Sequence, residues 1–248
     1  MENEEQPRLR TVDKSQPLYK LNHFPRSFAY SLGRELIYLL ATRGNSVRLE
    51  GSDWEEIFAR CIGAEWRPSN IGLDDIIYQG MAWCAKSVKN KKPFTVKTIR
   101  LISGRNSPIY SFGDSSVTNQ DPAQLGKKIL SIWNARVADV GKKFPVLRTV
   151  VLIKSDDLTE VSIFEVETIL YNAKDFIWQW NDKDNLEGLS KKTNMHVFTW
   201  QPHGSQFTII ESVPIKRLKL RIRKPPTLDR ALTLEALKVD DSWIEIVE

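Results

Sequence analysis

Apolar and polar positions recur with two different periods along this chain, and the changes of period locate its elements. From Ser27 the run FAYSLGRELIYLLATRG places apolar residues at helical spacing and stops at Gly44, which suits a helix C-cap. A second helix is expected in EGSDWEEIFARCIGAEW, with Ser52 or Asp53 as cap and Glu55 and Glu56 in a first turn whose dipole favours acids. Beyond Pro68 the period shortens. LDDIIYQ, MAWCAKSVK and TVKTIRLIS read as strands, the first two joined by a turn at YQG. Residues 103–122, rich in Ser, Gly, Asn, Asp and Pro, read as a loop. Residues 123–140 return to the helical period, and LRTVVLIKS is a nearly continuous apolar strand of the kind buried on both faces. VSIFEVETILYN fits strand or helix, HVFTWQP and SQFTIIESV pair through a turn at PHG, and RLKLRIR alternates basic with apolar like a half-exposed strand.

This order predicts an α/β fold with a central mixed β-sheet flanked by helices. Residues 1–25, with Pro7, Pro17 and Pro25 and no apolar period, are expected to form an N-terminal arm; residues 26–230 the α/β domain; and residues 231–248 an acidic C-terminal tail packing on the domain or extending from it.

Composition narrows the class. A chain of 248 residues, 41% hydrophobic and 27% charged, carries enough apolar side chains for a sizeable core. No apolar run is long enough for a membrane span, and MENEEQPRLR is acidic and polar where a secretory signal is basic and then apolar, so a cytoplasmic protein with no membrane partner is expected. Cys61 and Cys84 make no disulfide framework, and with only three histidines they make no structural zinc set. The net charge of +5 is unevenly spread. Residues 86–105 hold seven Lys/Arg and no acid, and residues 216–230 hold seven against Asp229, which invites a polyanion.

The chemistry concentrates in IGLDDIIYQGMAWCAKSVKN, residues 71–90. An acid on one strand and a lysine on its neighbour are what a metal-dependent phosphodiesterase needs. The carboxylate holds Mg²⁺, a hard ion that wants oxygen. The metal polarises the phosphate and helps ionise a water, while the lysine orients or deprotonates that water and offsets transition-state charge. A plainer reading has Asp74 and Asp75 capping a turn and Lys86 guarding a sheet edge.

The phrase DDIIYQGMAWCAKSV resembles the motif of the PD-(D/E)XK nucleases, the class that includes type II restriction endonucleases. Asp75 matches the motif's aspartate, with Asp74 where that family often has proline. Trp83 matches the apolar residue before the second acid, Lys86 the lysine, and Ser87 the small polar residue after it. Cys84 stands where the second acid belongs, and a neutral thiol does not replace a carboxylate on Mg²⁺. No glutamate occurs from Trp66 to Thr159, so a substitute must come from Asp74, Glu55, Glu56, Glu65, Glu165 or Glu167. Family members often take a glutamate from the helix preceding the motif strands. SDWEEIFAR occupies that place, which puts Glu55 and Glu56 first.

The resemblance implies a restriction-endonuclease-like fold, Mg²⁺-dependent sequence-specific hydrolysis of double-stranded DNA, and a homodimer that brings two sites to two strands. In that picture Asp75, Asp74 and Glu55 hold the metal, and Asp75, Lys86 and Glu55 or Glu56 carry the catalysis. Lys89, Lys91, Lys92, Arg105, Arg136, Lys216, Arg217, Lys219 and Arg221 contact DNA, and loops 103–122 and 196–206, with His203 and Gln206, read bases. Trp178 and Trp180 in FIWQWND are candidates for a base-stacking face. The alternative is a nuclease-fold nucleic-acid-binding module that has lost catalysis at Cys84.

Overall fold

Helix α1 (Arg26–Arg43) buries Phe28, Leu32, Leu36, Leu39 and Leu40 and ends at Gly44, as its apolar spacing predicts. The coordinates are a computed structural model that describes residues 17, 19–44, 48–68, 72–117 and 120–247, so most of the expected N-terminal arm lies outside the described residues. The far side of α1 is not polar: Tyr30, Ile37 and Tyr38 are 63, 41 and 64% exposed. Helix α2 (Gly51–Ile62) is capped two or three residues earlier than the expected Ser52 or Asp53. Glu50 is the N-cap, its backbone N–H donates to Asp53 Oδ2 at 2.8 Å, and Asp53 also takes Arg43 at 2.8 Å. A reciprocal capping box satisfies two helix-end groups where Ser52 alone would satisfy one.

Strands β1 (Glu65–Trp66), β2 (Ile76–Tyr78), β3 (Met81–Lys89) and β4 (Thr98–Arg105) follow, then α3 (Pro108–Phe112) and α4 (Pro122–Gly141). After these come β5 (Val146–Lys154), β6 (Glu160–Glu167), β7 (Phe176–Trp180), β8 (Leu186–Ser190), β9 (His196–Gln201), β10 (Gln206–Ser212), β11 (Leu218–Arg221) and α5 (Arg230–Ala236). The segment expected as one loop over 103–122 divides: Ser103 to Arg105 continue β4, and Pro108–Phe112 is a short helix capped by Ser107.

One central sheet was expected, and two are present. The first is mixed, in the order β1-β2-β3-β5-β6-β11, with β3 and β5 parallel across the α4 connection. The second is antiparallel, in the order β4-β10-β9-β8-β7. β4 is not a neighbour of β3 in the first sheet, where β5 pairs with β3 from Met81 to Lys89 and β2 pairs with Met81 to Trp83. It pairs with β10 instead, Thr208 opposite Ile102.

Side-chain alternation sorts the first sheet into two faces. Trp83, Ala85, Val150, Leu152 and Ile163 pack under α1 and α2. Ala82, Cys84 and Leu147 point the other way, into a core shared by α4 and the inner face of the second sheet. Each fully buried Leu or Phe in these clusters contributes about 1.5–3 kcal/mol. Helix α4 touches both sheets, and at Gly126 a Cβ would lie 2.1 Å from the Trp178 ring, so only glycine lets helix and ring meet there. Trp178 is thereby a core residue, 7% exposed and stacked on Phe198 at 5.8 Å, and offers no face to a base.

The α1/α2 side also holds a buried ion pair. Arg148 Nη1 meets Glu165 Oε2 at 3.1 Å, and Tyr19 (2.7 Å) and Trp83 (2.8 Å) donate to Glu165 Oε1. Beyond β11, the backbone N–H of Leu228 donates to Ala41 O at 2.9 Å, and α5 follows with no buried residue. Among the described residues no helix is long and apolar enough to cross a membrane.

Candidate active site

The β2–β3 hairpin sets the frame. Ile76 pairs with Trp83, Ile77 with Ala82 and Tyr78 with Met81, so the chain turns at Gln79-Gly80 as the YQG signal predicts. β2 begins only at Ile76, opposite Trp83, while β3 runs on to Lys89. Past Trp83, β3 is paired only with β5 among the described residues, and its other edge is open. Asp75, one step beyond Ile76, arrives at that opening level with Cys84. It is 5% exposed, and its carbonyl takes the N–H of Arg67 at 2.7 Å, which fixes the approach of its backbone.

Glu55 reaches the same opening from α2. Trp66 Nε1 donates to Glu55 Oε2 at 3.2 Å. Burial pushes the Glu55 carboxyl up; the indole bond lowers it, Asp75 raises it further, and Lys86 lowers it. Glu56, one residue on, turns outward: 47% of its side chain is exposed and it pairs with Arg60. The structure therefore separates the two glutamates that the sequence left together. Glu165 is also removed from the choice, since it lies on the opposite face of the sheet in its pair with Arg148.

Cys84 and Lys86 share one face of β3. Lys86 is held above the usual lysine range, by Cys84 first and by Asp75 and Glu55 after it, against a burial that works the other way. Burial pushes the 1%-exposed Cys84 thiol up, so it stays neutral near pH 7 and the charges facing Lys86 are the two carboxylates. Lys86, with Asp75 and Glu55 as its charged partners, is suited to offsetting charge.

A second cation comes from α4. Arg136 Nη1 donates to Ser103 O at 2.7 Å, and its guanidinium covers Gly104, where a Cβ would fall 2.4 Å from Nη1. Gly104 also has φ +121°, a conformation that side chains with a Cβ avoid. Burial lowers the Arg136 pKa, and Cys84 and Asp75 oppose that. The sequence placed Arg136 on a polar helix face; the structure sets it against Ser103 and Gly104 of β4, within electrostatic reach of Asp75.

Behind Lys86 lies a cavity between the two sheets, lined by Cys84, Lys86, Ser103, Thr149, Tyr171 and Glu211 among others. Burial pushes Glu211 up to about 7. The half-buried Tyr171 hydroxyl is raised by desolvation and then by Glu211. Sequence reasoning missed Glu211, although in SQFTIIES it falls on the same parity as Phe207 and Ile209, which face the core.

The expected DNA contacts divide by position. Arg105 pairs with Gln206 at the end of the second sheet next to Gly104, and the exposed His203 lies in the adjoining turn. Lys91 and Lys92 are exposed, while Lys89 pairs with Asp156 at 2.9 Å. β11 is three strands from β3, about 14 Å at the usual strand spacing. Lys219 is exposed there, Arg221 pairs with Glu160 at 2.8 Å, and Lys216 lies 3.3 Å from His23. Arg217 donates to the carbonyls of Pro214 and Phe94 and so staples a turn.

Among the described residues no three His, Cys, Asp or Glu side chains converge as a metal cage. Two carboxylates do face one lysine at an open strand edge, and that donor set fits Mg²⁺, which binds through one or two carboxylates with water and substrate phosphate as its other ligands. Asp74 is half-buried next to Asp75. No protein-family model, no curated protein and no solved structure matches the chain. The class that the fold defines is thus an α/β protein with a mixed and an antiparallel sheet flanked by helices.

Proposed function

We propose that this protein is a Mg²⁺-dependent, sequence-specific DNA endonuclease of the PD-(D/E)XK class, acting on double-stranded DNA as a homodimer. The observation that carries this reading is that Glu55, Asp75 and Lys86, from three separate segments, lie within electrostatic reach of one another where β3 outruns β2. Glu55 and Asp75 would hold the ion. A bound Mg²⁺ supplies Lewis-acid polarisation of the phosphate and a more acidic water. Lys86, charged at neutral pH, offsets the negative charge that builds on the phosphorane as water attacks and the P–O bond to the leaving alkoxide breaks. Arg136 lies where it can bind a phosphate oxygen, and Arg105, Gln206 and His203 extend that surface toward base edges. The chain's order of acidic helix, Asp strand, Lys strand, helix and buried parallel strand supports the same class.

Cys84 favours one other reading, a nuclease-fold module that binds nucleic acid without cutting it. Incubating the protein with mixed plasmid DNA and Mg²⁺, beside Asp75→Ala and Lys86→Ala, separates the two. Discrete fragments that disappear in both variants support the enzyme; salt-sensitive binding with no cutting supports the module.

A further inference from the structure

The chain from Leu228 onward carries apolar side chains that the rest of the fold does not use. Leu228, Leu232, Leu237, Trp243, Ile244 and Ile246 are each more than half exposed. This segment has local order, since Asp229 caps α5 by accepting from Leu232 N at 2.9 Å. An ordered run with this much exposed apolar surface marks an interaction site.

A second unused surface is the outer side of α1. Tyr30, Ile37 and Tyr38 are exposed there, and helical geometry puts Arg34 between them. Arg26 and Arg34 are exposed too, and neither is ion-paired to another described residue; Glu35 and Arg43 of the same helix are taken by Arg60 and Asp53. Residues 228–247 contain five acids, Asp229, Glu235, Asp240, Asp241 and Glu245, against Arg230 and Lys238. The tail is thus acidic and apolar, and the helix face basic and apolar.

The two surfaces are neighbours yet stay apart in one chain. Leu228 is anchored to Ala41 at the end of α1, but the tail leaves Tyr30, Ile37 and Tyr38 uncovered. We propose that two copies of this chain associate by reciprocal docking, the 228–247 tail of each lying on the outer face of α1 of the other. Complementary patches on one chain are what a two-fold interface needs, because each contact then occurs twice. A stable interface buries about 1,200–2,000 Å² in total, and the nine large apolar side chains exposed on each tail, doubled by symmetry, offer surface of that order. The proposal gives the homodimer of the nuclease reading its contact. It rests on exposure and charge alone, and its readout is mass, not cleavage.

Sedimentation velocity of the full chain over a wide concentration range tests it. A reversible dimer is expected, weakened about tenfold or more by Trp243→Asp and by Tyr38→Asp, each judged folded by an unchanged circular dichroism spectrum. Mixing the two variants should recover dimer, because the mixed pair keeps one intact tail-to-helix contact that neither variant has alone. A wild-type chain that stays monomeric, a dimer that neither substitution weakens, or a mixture no tighter than its components would each overturn the proposal.

Discussion

Trp66 and Glu55 are joined by a 3.2 Å hydrogen bond from the indole Nε1 to Oε2, which ties the two-residue β1 to the side of α2. The bond turns one glutamate of the Glu55-Glu56 pair toward Asp75 and leaves the other to Arg60. Glu55→Gln removes the charge and keeps an acceptor for the indole, and plasmid cleavage is expected to fall by about 100-fold or more, in the range of a lost transition-state contact. Glu56→Gln should leave the rate unchanged. Equal effects in the two variants, measured as initial nicking rates in Mg²⁺, would remove Glu55 from the site.

Cys84 offers a complementary experiment. A carboxylate at this position would stand beside Lys86 at the level of Asp75, so Cys84→Asp should restore part of the cleavage lost in Glu55→Gln. The control is Cys84→Ala in the same background, which should restore nothing. The recovery, if present, should also lower the Mg²⁺ concentration needed for half-maximal rate.

Gly104 combines a positive φ with close contact to Arg136. Gly104→Ala is expected to cost about 1–3 kcal/mol from backbone strain, with displacement of the guanidinium in addition. Urea unfolding should show the lower midpoint, and DNA affinity should drop with it if Arg136 binds phosphate.

Glu211 makes stability depend on pH. Its carboxyl is raised from 4.5 to about 7 in the fold, so below the lower value it is neutral in both states and costs nothing. As pH rises through the interval the unfolded chain releases its proton first, and native stability falls, levelling off above the higher value. The loss is on the order of 3 kcal/mol. Glu211→Gln abolishes it, so the variant should match wild type near about pH 4 and exceed it near about pH 8 in denaturant titrations. Parallel curves for the two proteins would show that Glu211 does not titrate as its burial implies.

Much of this fold is written in local pattern. The helical period in residues 27–44 and 123–140, the apolar run LRTVVLIKS and the YQG and PHG turns all specify elements whose own residues decide them. What periodicity cannot say is which strand lies beside which. TIRLIS has the right alternation for either sheet, and it joins the second by pairing with β10, more than 100 residues further on. The site follows the same division. Asp75 and Lys86 were visible as a pair because they sit on one hairpin. Choosing Glu55 over Glu56 needed the indole of Trp66, and finding Glu211 needed a strand more than 120 residues from Lys86 to fold over it.

The contact of Gly126 with the Trp178 ring makes α4 a shared spar between the two sheets. Arg136 rides on that spar, so the inner face of the second sheet sets where a cation stands in a cleft built by the first. The outer face of the second sheet, with Arg100, Gln179 and Gln201 pointing away from the spar, is under no such obligation. Exchanging the exposed side chains there should leave Arg136 in place, whereas one methyl at Gly126 would press on the Trp178 ring and re-aim Arg136 from the far end of the helix.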